Sequence, residues 1–317
     1  MVLSWELRHI NHDSSDHEKR EVLKFWTGDY VWATSSRLSV PWGDETYGFV
    51  AAFDGSRCVG TTSHTISPRG LGILSQVFTD PDYRGRGIAT AMVDETVGIF
   101  RRHSTKAAYL ASGKEWVRQL YRKFEFEFVG AMGRRHGFKL TLEPAGEDGT
   151  LFRKGQAIAL RSIKPDDQGD LCALFNAGHD CVVKHYALGC YMGSYFEGEF
   201  YTLRRMEETK GYGSTILDGE ETVLGLATIL PSNRRHENHK GILDWLVHPE
   251  YHDQTQALLD NILNRCELNV LDAYADTSEE ARHELLEANQ FKQIGRLQDQ
   301  VRIQDDSFTL LHYRSLL

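Results

Sequence analysis

Residues 77–90 of the chain read Val-Phe-Thr-Asp-Pro-Asp-Tyr-Arg-Gly-Arg-Gly-Ile-Ala-Thr. The apolar run that leads into this stretch, residues 71–78, predicts a strand, and Asp80-Pro81-Asp82 predicts its end. Apolar residues with the spacing of one helix face follow over residues 88–100. The stretch is therefore expected to fold as a strand, a glycine turn and a helix.

Gly85 and Gly87 lie where the backbone is predicted to turn into this helix. Without Cβ atoms there, successive N–H groups can approach an anion, and the unpaired donors of the first helical turn favour negative charge. The pattern predicts a cradle for a pyrophosphate group, and a glycine turn that binds nothing is the alternative. The phosphate loop of nucleotide hydrolases is excluded, because its Gly-Lys-Ser/Thr sequence is missing.

The order of these residues resembles motif A of the GNAT superfamily of N-acetyltransferases, which has Arg or Gln, two residues, Gly, one residue, then Gly or Ala. Arg84, Gly87 and Ala89 match it in register. The resemblance implies acetyl-CoA as co-substrate, with its pyrophosphate on the backbone of the glycine turn and its pantetheine beside the preceding strand. The cofactor-binding residues implied in this way are Val77, Phe78, Thr79, Arg84, Gly85, Arg86, Gly87, Ile88, Ala89, Thr90 and Lys114.

A second predicted helix, residues 114–126, resembles motif B of the same family. Tyr121 matches the tyrosine that protonates the departing CoA thiolate in many members, so the resemblance implies a catalytic acid there. Lys114 stands where the family usually has an Asn that binds pantetheine, and Glu125 replaces the usual Gly. Apart from the resemblance, a tyrosine near a helix end is commonly a packing residue.

The sequence does not identify the general base for the acceptor. Many relatives place a Glu on the fourth strand, but Ser75 and Gln76 occupy this region here, and neither is a base at neutral pH. His64, Asp44, Glu45 and a chain of water molecules are the candidates. Direct attack by an amine mainly requires deprotonation and positioning, so the missing carboxylate does not exclude catalysis.

The chain has 317 residues, of which 41% are hydrophobic and 26% charged, as is typical of a soluble globular protein of about two domains. No apolar run is long enough to cross a membrane and the N-terminus is polar, so we expect a cytoplasmic protein without a membrane partner. The net charge of −9 argues against a nucleic-acid partner. Five cysteines without CxxC spacing argue against a disulfide framework or a structural zinc site, and no metal is expected.

The second half of the chain repeats the first. Residues 143–149 are acidic and rich in turn formers, which predicts a linker between domains of residues 1–145 and 155–317. Residues 246–251 match residues 78–83 at an offset of 168 residues. We therefore predict an α/β (α+β) fold of two tandem GNAT domains, each with a mixed, mostly antiparallel twisted sheet flanked by helices.

The second copy lacks the residues for the chemistry. Residues 252–255, His-Asp-Gln-Thr, stand in place of residues 84–87, so both glycines are lost and a carboxylate would face any pyrophosphate. Leu286 takes the position of Tyr121 and has no proton to donate. We expect this domain to be degenerate, with a structural or acceptor-binding role.

Aromatic residues and two thiols are concentrated in residues 181–201. We expect this segment to form a packed interface between the domains or one wall of the acceptor site in the first domain. A metal site is the alternative, although the spacing of Cys181 and Cys190 fits no standard site.

These patterns and the resemblance together predict an acetyl-CoA-dependent N-acetyltransferase that acts on a primary amine of a small-molecule acceptor. Acyl transfer from another acyl-CoA or from an aminoacyl-tRNA, and CoA binding without catalysis, are the alternatives. The internal repeat could bury the surface through which single-domain relatives dimerise, so we expect a monomer. The sequence does not identify the acceptor.

Overall fold

The computed structural model shows two successive α/β units, each built on a seven-stranded sheet. Within the described residues no helix is both long and apolar enough to cross a membrane. The structure describes residues 4–113, 115–129, 137–192, 196–210, 213–232 and 234–316, with the backbone alone at 115, 116, 209 and 210.

The first sheet contains β1 (Glu6–Ile10), β2 (Thr46–Asp54), β3 (Arg57–Ile66), β4 (Leu71–Thr79), β5 (Ala107–Ala111), β6 (Glu127–Val129) and β7 (Gly137–Thr141). Its strand order is β1-β2-β3-β4-β5-β7-β6, and β4 and β5 are the parallel pair. The other neighbours are antiparallel. The helices of this unit are α1 (Asp16–Leu23), α2 (Asp29–Ser39), α3 (Ile88–Arg102) and α4 (Glu115–Arg122).

The second unit begins after a short helix, α5 (Asp148–Leu151). Its sheet contains β8 (Ala159–Ser162), β11 (Ser214–Asp218), β12 (Val223–Pro231), β13 (Lys240–Val247), β14 (Val270–Asp276), β15 (Lys292–Ile303) and β16 (Asp306–Leu316). A separate hairpin, β9 (Val183–His185) and β10 (Cys190–Tyr191), and the helices α6 (Gln168–Asn176), α7 (Gly198–Lys210), α8 (Thr255–Leu263) and α9 (Glu280–Ala288) complete it.

The two sheets have the same topology. The second runs β8-β11-β12-β13-β14-β16-β15, and β13 and β14 form its parallel pair. Each strand therefore occupies the place of its counterpart in the first sheet. The predicted fold class and internal repeat are confirmed.

Helix α1 begins with a capping box. The Ser15 hydroxyl accepts a hydrogen bond from the Glu18 N–H at 3.3 Å, and the Glu18 carboxylate accepts one from the Ser15 N–H at 3.2 Å. This reciprocal capping box satisfies two N–H groups at the helix start. Ser15 is therefore the N-cap, and Asp16 is the first residue of the helix.

Matching residues after α4 and α9 adopt the left-handed conformation. Glu125 has a φ of 66° and Gln290 a φ of 64°. The next N–H bonds back to the helix in both copies, from Phe126 to the Tyr121 carbonyl at 3.3 Å and from Phe291 to the Leu286 carbonyl at 2.9 Å. This helix end usually takes glycine. Glu125 therefore makes the turn expected of the family's glycine, at a cost of about 1 kcal/mol.

The two units share one hydrophobic core. Leu71 and Ile73 of β4 belong to the same buried cluster as Leu171 and Phe175 of α6. A Cβ added at Gly169, in the first turn of α6, would lie 2.2 Å from the Leu71 carbonyl oxygen. Helix α6 can therefore lie against β4 because residue 169 has no side chain.

We expect Gly169→Ala to lower the free energy of unfolding by about 2 kcal/mol, because overpacking against a backbone atom costs roughly 1–3 kcal/mol. In an isolated helix the same change would be favourable by about 1 kcal/mol. A lower free energy of unfolding would therefore be due to the contact with β4. Urea unfolding followed by circular dichroism measures the change.

The matched control is Gly178→Ala, because Gly178 is exposed and a Cβ there would meet no atom within 4 Å. Its free energy of unfolding should stay within about 0.5 kcal/mol of the wild type. A Gly169→Ala variant as stable as this control would contradict the close packing of α6 on β4.

Candidate active site

The predicted cradle forms an open loop at the start of α3. Gly85 and Gly87 have φ values of 74° and 78°, and Gly87 is the N-cap of the fifteen-residue helix. Among the described residues no side chain caps the helix, and its first turn carries no acidic residue. A Cβ at either glycine would meet no protein atom within 4 Å. The N–H groups of this turn therefore face free space into which an anion fits.

The two arginines of the loop hold its backbone. Arg84 Nε donates to the Thr79 carbonyl at 3.2 Å, and an Arg86 guanidinium nitrogen donates to the Asp82 carbonyl at 2.9 Å. Arg86 also lies over the Tyr83 ring, 5.2 Å from its centroid. These contacts fix the approach to the helix and add positive charge beside the free N–H groups.

Strand β4 separates from β5 just before the cradle. The pairing of the two strands covers residues 71–73 of β4, so beyond Ile73 this edge of β4 is not bonded to β5. A bulge follows, with a φ of 48° at Gln76. The expected pantetheine residues Val77, Phe78 and Thr79 lie beyond the split and are partly exposed. Such an unpaired edge offers backbone donors and acceptors to an extended ligand.

Tyr121 occupies the last turn of α4 and is buried, with 3% of its surface exposed. It belongs to the same hydrophobic cluster as Ile88, the first residue of α3. Burial raises the pKa of Tyr121, and the charge of Glu197 raises it further. The hydroxyl therefore keeps its proton at neutral pH. Lys114 lies outside the described residues.

Glu197 is a functional candidate that the sequence analysis missed. It precedes α7 of the second unit, yet its carboxylate accepts a hydrogen bond from the Ser75 hydroxyl of β4 and another from the Tyr30 hydroxyl of α2, the latter at 3.1 Å. Burial raises the pKa of Glu197 to about 7. The second unit thus places a carboxylate beside the β4 region where the sequence has none.

The signal that pointed to this region was the aromatic segment 181–201. The Tyr201 ring lies 5.2 Å from the Tyr30 ring and 6.4 Å from the Trp42 ring, measured between centroids. Phe200 lies 6.5 Å from Trp42. The end of the segment therefore packs at the interface between the two units, whereas Tyr186 stacks on Tyr274 within the second unit.

The base candidates named from the sequence are poorly suited to the role. Burial lowers the pKa of His64 to about 3, which makes it a very weak base. The Glu45 carboxylate oxygens lie 2.8 and 3.0 Å from guanidinium nitrogens of Arg37 and are occupied by that ion pair. Asp44 is exposed, and its N–H donates to an Asp166 carboxylate oxygen at 3.1 Å.

A chain of hydrogen bonds across the interface positions Glu197. Arg37 is 2% exposed and donates to Gln168 Oε1 at 2.7 Å and to the Tyr201 hydroxyl at 3.1 Å. Gln168 Nε2 in turn donates to the backbone carbonyl of Glu197 at 3.1 Å. The backbone of Glu197 is therefore tied to a buried charge of the first unit.

The second unit has no comparable cradle. A 3₁₀ turn, Pro249–Gln254, runs directly into α8, and the Thr255 N–H donates to the His252 carbonyl inside this turn. The Thr255 N–H, which takes the place of the Gly87 N–H, is therefore hydrogen-bonded within the turn. The expectation that this unit does not bind CoA through the loop stays a prediction.

A cavity of about 600 Å³ remains in the second unit between β13 and α9. Trp245, Leu246 and Leu285 contribute apolar surface, and the exposed Glu280 and Glu284 lie at α9. Negative side chains at this cleft oppose a polyanionic ligand such as CoA. In the part of the chain that the structure describes, no group of three or more His, Cys, Asp or Glu residues could hold a metal ion.

The family model described as "Acetyltransferase (GNAT) family" matches residues 8–126. A comparison with curated proteins found no match. The matched residues include the cradle, β4 and Tyr121.

Solved structures with a similar fold include three acetyltransferases. A ribosomal-protein-alanine N-acetyltransferase from Brucella melitensis is 17% identical over 50% of this chain and 99% of its own, with a TM-score of 0.41. A putative acetyltransferase from Salmonella typhimurium, solved with its cofactor acetyl-CoA, is 15% identical over 51% and 94%, with a TM-score of 0.41. A phosphinothricin acetyltransferase from Sinorhizobium meliloti, in complex with acetyl-CoA, is 17% identical over 50% and 88%, with a TM-score of 0.42.

The family match and the repeated topology lead to the same assignment. The matched residues carry the cradle and the strand split, and the second sheet repeats the strand order of the first. Residues 8–126 of the first unit therefore match the GNAT family model, and the second unit repeats the strand order of the first.

Proposed function

We propose that the protein is an acetyl-CoA-dependent N-acetyltransferase that acts on a primary amine of a small-molecule acceptor by direct attack. The observation that carries this proposal is the uncapped start of α3, where two left-handed glycines leave the first N–H groups open. The split of β4 and β5 just before this turn, and a hydrophobic core that contains both Ile88 and Tyr121, support the same conclusion.

The residues present fit acetyl-CoA. The N–H groups of residues 85–90 would bind the pyrophosphate, helped by the charges of Arg84 and Arg86. The unpaired edge of β4 at residues 77–79 would align the pantetheine arm. When bound, acetyl-CoA supplies an acetyl group that is activated as a thioester.

In the proposed reaction the neutral amine attacks the thioester carbonyl carbon. A C–N bond forms, and an N–H of β4 stabilises the developing oxyanion. The C–S bond then breaks, and the Tyr121 hydroxyl gives its proton to the thiolate. The amide nitrogen loses its second proton, which restores Tyr121.

Aminoacyl transfer from tRNA and CoA binding without catalysis explain these features less well. Aminoacyl transfer from tRNA requires a clustered basic surface, and the net charge of −9 does not favour it. A module that only binds CoA has no need for a buried tyrosine hydroxyl.

The first test is thiol release from acetyl-CoA in the presence of lysine, spermidine, glucosamine or a short peptide with a free N-terminus.

Acetyl-CoA should bind the wild type at one site per chain, and Gly87→Asp should weaken the binding at least 100-fold, or about 2.7 kcal/mol. The new side chain would enter the pyrophosphate space and bring a negative charge into it. Isothermal titration measures both the stoichiometry and the dissociation constant.

Gly55→Asp is the matched control, because Gly55 also has a positive φ, of 60°, and open space around its would-be Cβ, but lies in the turn between β2 and β3. This variant should bind acetyl-CoA as the wild type does. Binding that survives Gly87→Asp, or no binding to the wild type, would contradict the proposal.

Tyr121→Phe should lower kcat at least 100-fold and leave the dissociation constant of acetyl-CoA unchanged, because a positioned acid typically contributes 10²–10⁴-fold. Tyr109→Phe is the control. Its hydroxyl is also buried and, within the described residues, has no hydrogen-bond partner. Equal activity of the two variants in steady-state kinetics would argue against Tyr121 as the acid.

A further inference from the structure

The two oxygens of the Glu197 carboxylate have different environments. Oε1 accepts hydrogen bonds from both Ser75 and Tyr30. Oε2 accepts none from the residues that the structure describes. Glu197 also keeps part of its surface exposed. One oxygen is therefore held in place by the first unit while the other is free to meet a ligand.

The carboxylate lies close to two groups of the proposed site. Ser75 belongs to β4, two residues beyond the last pairing with β5. Tyr121 belongs to α4 on the other side and lies close enough for the charge of Glu197 to raise its pKa. The carboxylate of Glu197 is therefore near both β4 and the proposed acid.

Few charges compete for this position. The charged and titratable groups that face Glu197 are Tyr30, Arg37, Tyr121, Glu199 and Tyr201. Arg37 is already paired with Glu45, and Glu199 accepts a hydrogen bond from the Glu197 N–H at 2.9 Å. Among these groups no cation is free to pair with Oε2, so an incoming ammonium group would find an uncompensated carboxylate.

We propose that the acceptor site is composite: Glu197 of the second unit binds the primary ammonium group of the acceptor through Oε2 and acts as the general base of the first unit. This inference rests on the proposed function and adds to it the amine-binding residue and the base. It also gives the degenerate copy a catalytic role.

The proton transfer balances as follows. One N–H bond of the ammonium group breaks and an O–H bond forms at Oε2, which leaves a neutral carboxylic acid and a neutral amine. That amine then attacks the thioester carbonyl, and the proton on Glu197 passes to solvent when the products leave. A pKa of about 7 for Glu197 suits this exchange at neutral pH, because a base works best when its pKa lies near the working pH.

The test compares Glu197→Gln with the wild type, with acetyl-CoA as donor and whichever of the four amines gives the fastest thiol release as acceptor. Glutamine keeps an oxygen that can accept from Ser75 and Tyr30, so the fold and acetyl-CoA binding should persist. We expect kcat/KM for the amine at pH 7 to fall at least 100-fold. The difference in kcat/KM between the variant and the wild type should shrink as the pH approaches the pKa of the amine, because more of the amine is then already neutral in solution.

Tyr30→Phe tests the pH dependence itself. The Tyr30 hydrogen bond lowers the pKa of Glu197, so its removal should raise that pKa. The base must be deprotonated to act, so wild-type activity should rise with pH through about 7. In the Tyr30→Phe variant this rise should move to higher pH, and the activity at pH values above the rise should be similar to that of the wild type. Glu197→Asp keeps a carboxylate and should recover part of the rate that Glu197→Gln loses.

The outcomes separate the two proposals. If the wild type is active and Glu197→Gln shows the same pH profile as the wild type, this inference is overturned and the proposed function stands. Loss of acetyl-CoA binding in Glu197→Gln would show a structural role and would also overturn it. A wild type that releases no thiol with any of the four amines would overturn both proposals.

Discussion

The Arg37 guanidinium is buried between the two units and held from both sides, by Glu45 of the first and by Gln168 and Tyr201 of the second. The rings of Trp42, Tyr47 and Tyr201 lie 4.5, 4.7 and 5.3 Å from it. A buried charge costs several kcal/mol unless its partners stay in place, and removal of one partner typically costs 3–5 kcal/mol. The arrangement of the two units is therefore narrowly defined around this group. Because Gln168 also binds the Glu197 backbone, the same constraint reaches the proposed acceptor site.

The two copies share a fold but have diverged in the segments that carry chemistry. The first keeps an open glycine loop before α3, whereas the second closes the same position with a 3₁₀ turn that continues into α8. The second copy instead packs its α7 against α2, where Asp29 accepts hydrogen bonds from Thr202 at 3.1 Å and from Arg205 at 2.6 Å. This pairing sets the start of α7, and with it Glu197, beside the cleft of the first copy. The second copy can lack a cradle and still place a carboxylate beside the first copy, because the turn before α8 and the residue before α7 are different segments.

Local patterns were sufficient to predict the glycine turn and the helix that follows it. Two glycines before an amphipathic helix determine a backbone geometry that needs no distant partner, and the repeat at an offset of 168 residues predicted the second sheet. The proposed base could not be predicted in this way, because Glu197 and Ser75 are 122 positions apart and meet through the packing of two domains. Arg37 likewise has the sequence context of an exposed residue on an amphipathic helix. Its burial depends on a ring of aromatic and amide groups, half of them supplied by the other copy.

The central claim is that the second copy completes the active site of the first. A crystal structure with CoA and the N-acetylated amine bound together tests it most directly. We predict the CoA pyrophosphate on the N–H groups of residues 85–90, and the amide nitrogen of the product within hydrogen-bond distance of Glu197 Oε2. A product nitrogen bound away from Glu197, on residues of the first copy alone, would contradict the claim.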